Sequence, residues 1–217
     1  MTLGLQPTRA LLNDCNPHLV SYYRWLKRGL TVGVPLENDG SLYYQHRARF
    51  NELLRSGRGE SEEAAGLFYF LNRTCYNGLC RFNRSGEFNV PFGSYKSISY
   101  TRDFSPYRAA FAAWEFATGD FDSIELAAND FVYADPPYDV EFTHYSQEGF
   151  SWEDQVRTAR HLVRHSGPVV LVNQATPRIV ELYGGLGYEL RYLNAPRRIS
   201  CTGDRSPARE VLATRNL

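Results

Sequence analysis

Residues 131 to 138 read Phe-Val-Tyr-Ala-Asp-Pro-Pro-Tyr, an apolar strand that runs straight into an acid, two prolines and an aromatic ring. Proline lacks an N–H, fixes its own φ and restricts the residue before it, so the strand must stop at Asp135 and the peptides that follow are held in one extended or turn geometry. In open α/β sheets ligands gather beyond the carboxyl ends of strands, which puts Asp135 where chemistry is usually done. The loop is rigid before any ligand arrives and offers the Asp135 carboxylate, the Pro136 carbonyl freed from ladder pairing, and the face of Tyr138. Two acceptors can take both hydrogens of an exocyclic amine while the ring stacks on the heterocycle, worth about 1 to 3 kcal/mol per base. For an isolated tetrapeptide the competing reading is a strand-terminating turn whose tyrosine packs inward. The strand before it and the rest of the chain favour the site.

The surrounding pattern supplies such a sheet. A short strand over 9–14 ends in polar residues, and Asn16-Pro17 starts a helix whose apolar residues Leu19, Tyr22, Tyr23 and Leu26 recur at helical spacing until Gly29. Helices are expected over Leu42 to Leu54, Ser61 to Asn72 and Ser105 to Phe116, with a β-hairpin between 76 and 93 and a strand near Phe116. Then follow a strand at Asp130 to Ala134, a helix at Trp152 to His165, a buried strand at Pro168 to Val172, a helix at Pro177 to Leu186, and strands near Tyr188 to Leu193 and Glu210 to Thr214. Strands alternating with helices predict an α/β fold with mainly parallel strands. The segment 31–104 reads as an insertion into a domain made of 1–30 and 105–217.

Of the 217 residues 43% are apolar and 22% charged, which excludes disordered and fibrous classes. The 24 basic and 24 acidic groups cancel in sum but segregate along the chain: 111–156 carries 11 acids and no base. Only Lys27 and Lys96 of the basic residues are lysines, leaving mainly guanidinium forks suited to phosphates and guanine edges. Cys15, Cys75, Cys80 and Cys201 form no C-x-x-C pair, and the five histidines complete no zinc spacing, so four free thiols and no structural metal are expected. No run approaches the length of a membrane span, and Met1 to Ala10 lacks the features of a secretion signal. The expectation is a cytoplasmic protein with no membrane partner.

Several separated motifs together resemble the Dam-type DNA adenine-N6 methyltransferases, over nearly the whole chain from Ala10 to Leu217. Asp135-Pro136-Pro137-Tyr138 looks like the family's catalytic tetrapeptide. Leu12 to Pro17, with Asp14, resembles the motif whose acid holds the ribose hydroxyls of S-adenosylmethionine. Gly119-Asp120-Phe121 resembles the motif that receives the cofactor's adenine, Asp120 on the amino group and Phe121 against the ring. Leu71 to Arg81 and Gly86 to Gly93 are similar to the target-recognition hairpin, the most specific part of the match.

The resemblance implies a Rossmann-like S-adenosylmethionine-dependent methyltransferase sheet with an inserted helical and β-hairpin target-recognition domain, acting on double-stranded DNA. The target adenine would be flipped out of the duplex. Asp135 and the Pro136 carbonyl would accept the two N6 hydrogens, Tyr138 would stack on the base, and Asp135 would also adjoin the cofactor. The implied DNA contacts are Tyr76 and Asn77 at the opened stack, Arg81 on guanine, and Leu79 and Pro91 as apolar contacts, the pattern of members that read GATC. Restriction-modification is one setting in which such enzymes work. Arg197-Arg198-Ile199-Ser200 and the following Gly203-Asp204-Arg205-Ser206 read as a phosphate-facing loop.

The chain departs from the family at its start, where the first strand and its Phe-x-Gly-x-Gly type loop have no counterpart and Met1 to Pro7 reads as the tail of the helix after them. A missing central strand would leave an unpaired gap or a rearranged sheet, and unpaired buried backbone is costly. Three explanations compete: a start at an internal methionine, a second chain or N-terminal segment that supplies the loop, or a truncated, cofactor-incompetent remnant that binds DNA without catalysis. An enzyme of the same fold acting on RNA adenine or a side-chain amide is a further alternative, against which Asp135 and the hairpin both argue.

Overall fold

The computed structural model describes residues 2–139, 150–195 and 208–217. The chain divides into two compact units, Met1–Asp120 and Phe121–Leu217.

The first unit begins with a single helical turn, α1 (Thr2–Leu5), and the strand β1 (Ala10–Asp14). Helix α2 (Pro17–Arg28) starts where the sequence places it: the Asn16 side chain accepts from the amides of His18 and Leu19, and Gly29, at φ 86°, closes the helix in the left-handed region. Such a cap is worth about 1 kcal/mol. Helices α3 (Gly40–Arg55) and α4 (Glu62–Thr74) follow, capped by Asp39 and Ser61. Their facing sides bury Tyr43, Phe50 and Leu53 against Leu67, Phe70 and Leu71, all with 1% of their surface exposed or less. Phe88 and Val90 from the later hairpin complete this core. Each such side chain contributes about 1.5 to 3 kcal/mol through burial.

The expected helix over Ser105 to Phe116 is shorter in the structure. Helix α5 covers Tyr107–Phe111 and strand β2 (Trp114–Thr118) follows directly. Alternation of buried Trp114 and Phe116 with exposed Glu115 overrides the helical propensity of the alanines. Helix α2 secures the strand: Lys27 donates to the Trp114 carbonyl at 2.6 Å and Arg24 to the Phe116 carbonyl at 3.0 Å. β1 and β2 pair in parallel, with Asp14 opposite Thr118.

The second unit holds β3 (Val132–Ala134), α6 (Trp152–Leu162), β4 (Val169–Gln174), α7 (Pro177–Gly185), β5 (Glu189–Ala195) and β6 (Ala208–Arg215). Its sheet runs in the order β3-β4-β6-β5. β3 and β4 are parallel, whereas β6 is antiparallel to both β4 and β5. This mixed sheet corrects the mainly parallel expectation, for a topological reason. Sequential strands that pair antiparallel need no crossover helix, and β5 and β6 pair in this way. Strand β4 is buried from Val169 to Asn173 and reads as a nearly continuous apolar run, as a central strand covered on both faces should. A second core of Val169, Leu171, Ile179, Tyr183, Val211 and Ala213 packs around it.

Among the described residues no helix is long and apolar enough to cross a membrane.

Candidate active site

In the first unit the ends of β1 and β2 are clasped together. Asn13 donates from its side chain to the Gly119 carbonyl at 2.9 Å, and the Gly119 amide donates to the Asp14 carbonyl at 3.3 Å. Asp14 and Asp120 are thereby brought to the same end of the same strand pair. Oδ1 of Asp14 is fixed by the Asn16 amide at 2.7 Å, while Oδ2 has no hydrogen bond among the described residues. The Cys15 thiol has its pKa raised, first by burial and then by the charges of Asp14 and Asp120, with a backbone hydrogen bond opposing.

The hairpin stands beside this end. The Asn16 side chain donates to Cys80 Sγ at 3.3 Å, and the His18 and Phe82 rings lie 4.9 Å apart. Its arms pair at two antiparallel bridges, Phe82 with Phe88 and Cys75 with Phe92, and not along a continuous ladder. Gly93 is required where the chain passes α4, because a Cβ there would stand 2.9 Å from the Thr74 carbonyl oxygen and 2.8 Å from that of Cys75. Helix α3 holds the return arm with polar side chains one turn apart. Tyr43 and Arg47 donate to the Val90 carbonyl at 2.7 and 3.0 Å, Asn51 exchanges two bonds with the Phe88 backbone, and Arg55 pairs with Glu87.

Three of the expected DNA-contacting residues are exposed and two are half-buried. Tyr76, Arg81 and Pro91 are exposed; Asn77 is half-buried and sits at φ 53°, in a turn of 3-10 helix over Tyr76–Gly78. Leu79 is half-buried and packs on the first core, so the hairpin-packing role is part of what it does. Arg81 donates from Nε to Asn89 Oδ1 at 2.8 Å.

The second unit carries the tetrapeptide at the carboxyl end of β3. Asp135 and Pro137 are exposed, Pro136 and Tyr138 half-buried, and Asp139 buried. The Tyr138 phenol is raised in pKa, chiefly by burial and then by the Asp135 charge. It therefore stays neutral beside the acid.

Phe121 belongs to this unit too. The Arg157 guanidinium lies 4.3 Å from the centre of its ring and is held in turn by Asp122 at 2.5 Å and Asp154 at 3.0 Å. Asp154 also closes a capping box with Ser151 at the start of α6. Phe150 and His161 meet the ring at 6.3 and 5.9 Å.

Sequence reading missed the residues that brace these groups: Asn89 behind Arg81, Arg157 behind Phe121, and Gln155, Asn173 and Arg178 behind the tetrapeptide. The one available signal was Asp139, an acid directly after Tyr138 that the amine-binding reading left unused. Cys15, Cys75 and Cys80 are free thiols; Cys201 lies outside the described residues, as does the expected phosphate-facing loop at 197–206.

A mixed α/β sheet with Asp-Pro-Pro-Tyr after one parallel strand, and a separate parallel pair ending in two acids, is consistent with the Rossmann-like methyltransferase class. The sequence profile of the D12 class N6 adenine-specific DNA methyltransferases matches residues 1–198, and the chain belongs to that family. It is 35% identical to the DNA N-6-adenine-methyltransferase of Escherichia phage P1 over 93% of its length, spanning 29% of that longer protein. It is 33% identical to the Retron Ec67 DNA adenine methylase of Escherichia coli, with 94% of this chain and 74% of the relative covered. With the DNA adenine methylase of Escherichia coli strain K12 the identity is 34%, over 95% of this chain and 79% of the relative.

Proposed function

We propose that the chain transfers a methyl group from S-adenosylmethionine to N6 of an adenine flipped out of duplex DNA, with Asp135, Pro136 and Tyr138 as the residues that act on the base. The N6 lone pair is delocalised into the ring, so the amine is a poor nucleophile until its pyramidal form is favoured. The Asp135 carboxylate and the Pro136 carbonyl accept its two hydrogens and stabilise positive charge developing on nitrogen. Tyr138 stacks on the base. The observation that carries this reading is the exposed Asp135 carboxylate directly after β3, followed by two prolines and the half-buried Tyr138 ring.

The residues present fit the cofactor. Asp14 offers a carboxylate oxygen unengaged among the described residues, suited to a ribose diol; Asp120 suits an exocyclic amine; and Phe121 offers a braced ring suited to a purine. S-adenosylmethionine supplies an electrophilic methyl group on a sulfonium. No covalent enzyme intermediate is needed.

The segment 31–104 is assigned to target recognition. Arg81 reads guanine in the major groove, Leu79 and Pro91 give apolar contacts, and Tyr76 and Asn77 fill the opened stack. The target is a GATC-like site. Methylation of a duplex library, with modified adenines mapped by sequence, tests both parts: methylated adenine within GATC supports the assignment, and methylation spread evenly over adenines opposes it.

A further inference from the structure

Asn173 is fully buried near the end of β4. Its Oδ1 accepts the backbone amide of Asp139 at 2.9 Å, and its Nδ2 donates to Gln155 Oε1 at 2.9 Å and to the Tyr183 hydroxyl at 3.2 Å. Gln155, also buried, donates from Nε2 to the Pro137 carbonyl at 2.7 Å. The Asp139 carboxylate accepts from Thr176 Oγ1 at 2.7 Å, from Arg178 Nε at 2.7 Å, and from Arg178 Nη2. Arg178 lies over the Trp152 ring at 4.6 Å.

These bonds reach the backbone on both sides of Tyr138: the carbonyl of Pro137 before it, and the amide and carboxylate of Asp139 after it. The anchors come from α6, from β4 and from the start of α7. Amide side chains in a buried setting have directional demands that an apolar contact lacks, and apart from the Asn173 bonds to the Tyr183 hydroxyl and the Gln174 amide, the bonds made here lie on the loop or on a residue that binds it. Packing alone would be served as well by apolar residues of similar volume.

We propose that Gln155, Asn173 and the Asp139–Arg178 pair are positioning residues for methyl transfer. They hold the peptides around Tyr138 so that the Asp135 carboxylate, the Pro136 carbonyl and the tyrosine ring converge on one base before DNA arrives. The inference rests on the reading of Asp135 to Tyr138 as the amine-binding loop.

The test uses the full chain and mixed-sequence duplex, with single-turnover methyl transfer at saturating S-adenosylmethionine, separate titrations of cofactor and duplex, and thermal unfolding of each variant. Gln155→Met keeps the volume and removes the donor. Its transfer rate is expected to fall about tenfold to a hundredfold with both dissociation constants within about twofold of the unaltered chain, the signature of lost alignment in place of lost binding. Asp139→Asn, which keeps size and one acceptor, is expected to show a smaller loss of the same kind, and serves as the second arm if Gln155→Met does not fold. Asp135→Ala runs beside them and is expected to abolish transfer. Full transfer rates in Gln155→Met and Asp139→Asn, with Asp135→Ala inactive, would overturn positioning and leave the loop reading intact. A rate loss that disappears when each rate is divided by the folded fraction would overturn it equally, since that is a structural role. Full activity in Asp135→Ala, or no transfer by the unaltered chain, would overturn the loop reading and this inference with it.

Discussion

Arg81 and Asn89 face each other across the hairpin, with Nε of the arginine donating to the side-chain amide oxygen at 2.8 Å and the Asn89 backbone amide donating back to the Arg81 carbonyl at 3.2 Å. A guanidinium tied by Nε, with Nη2 also reaching the Asn89 carbonyl at 3.5 Å, keeps its plane and retains further N–H groups on its terminal nitrogens for the two acceptors of a guanine. Asn89→Ala is expected to lower discrimination at that guanine by roughly tenfold, and Arg81→Ala to remove about 1 to 3 kcal/mol of it. Methylation rates on duplexes differing at that base pair provide the check. Equal discrimination in Arg81→Ala would take the arginine out of base reading.

Asp14 is anchored to the helix start through Oδ1. Asp14→Ala therefore has two expected effects: loss of about 1 kcal/mol of stability with the bond to the Asn16 amide, and weaker binding of S-adenosylmethionine. Asp14→Asn keeps an acceptor for the amide and should restore most of the stability but not the affinity. Calorimetric titration beside urea unfolding separates the two. Unchanged affinity in both variants would show that the ribose is held elsewhere.

Acid sensitivity follows from Asp139. Burial by itself raises the pKa of its carboxyl, but the hydrogen bonds from Arg178 and Thr176 and the Arg178 charge outweigh that and hold it below the ordinary carboxylate range. Asp154 is shifted in the same direction, chiefly by the Ser151 amide, with Arg157 and the Ser151 hydroxyl adding to it. A carboxyl whose folded pKa lies below its unfolded value, about 3.9, stabilises the fold above that pH, and the contribution is lost as pH falls through the folded value. Asp139→Asn is thus expected to be less stable at neutral pH and to lose less on acidification. Urea unfolding across the acid range reads this, and an acid limb parallel to that of the unaltered chain would contradict it.

Gly93 makes the closest backbone approach in the hairpin. Gly93→Ala should cost about 1 to 3 kcal/mol through overpacking against the carbonyls of Thr74 and Cys75. Thermal unfolding measures it; a neutral substitution would mean that the arm can shift away without cost.

Much of the fold was legible because its signals are local. Asn16-Pro17 and Gly29 bound α2 as their chemistry dictates, Ser61 caps α4, and the prolines after Asp135 end β3. Where the reading slipped, local preference yielded to tertiary contact. The alanines before Trp114 favour helix, but Lys27 and Arg24 capture the carbonyls of an extended segment. The strand order reflects pairing between β6 and two partners, which no periodicity encodes.

The site divides in the same way. Asp135 and Tyr138 announce themselves, since an acid and a ring beside two prolines are unusual in any setting. Their supports do not, because each is an ordinary residue until the fold brings it near. Arg178 is 39 positions from Asp139, Asn173 reads as one polar residue in an apolar strand, and the row Tyr43, Arg47, Asn51, Arg55 looks like the mixed face of a helix.

If Asp135 binds the amine that receives the methyl group, its removal must remove the product. The most direct measurement is the amount of N6-methyladenine formed in duplex DNA by the unaltered chain and by Asp135→Ala at saturating S-adenosylmethionine, read by mass spectrometry of the nucleosides. Steady accumulation is expected with the unaltered chain and a loss of about a hundredfold to a thousandfold in the variant, the scale that follows removal of a group that stabilises transition-state charge. Equal product from both would contradict that role for Asp135.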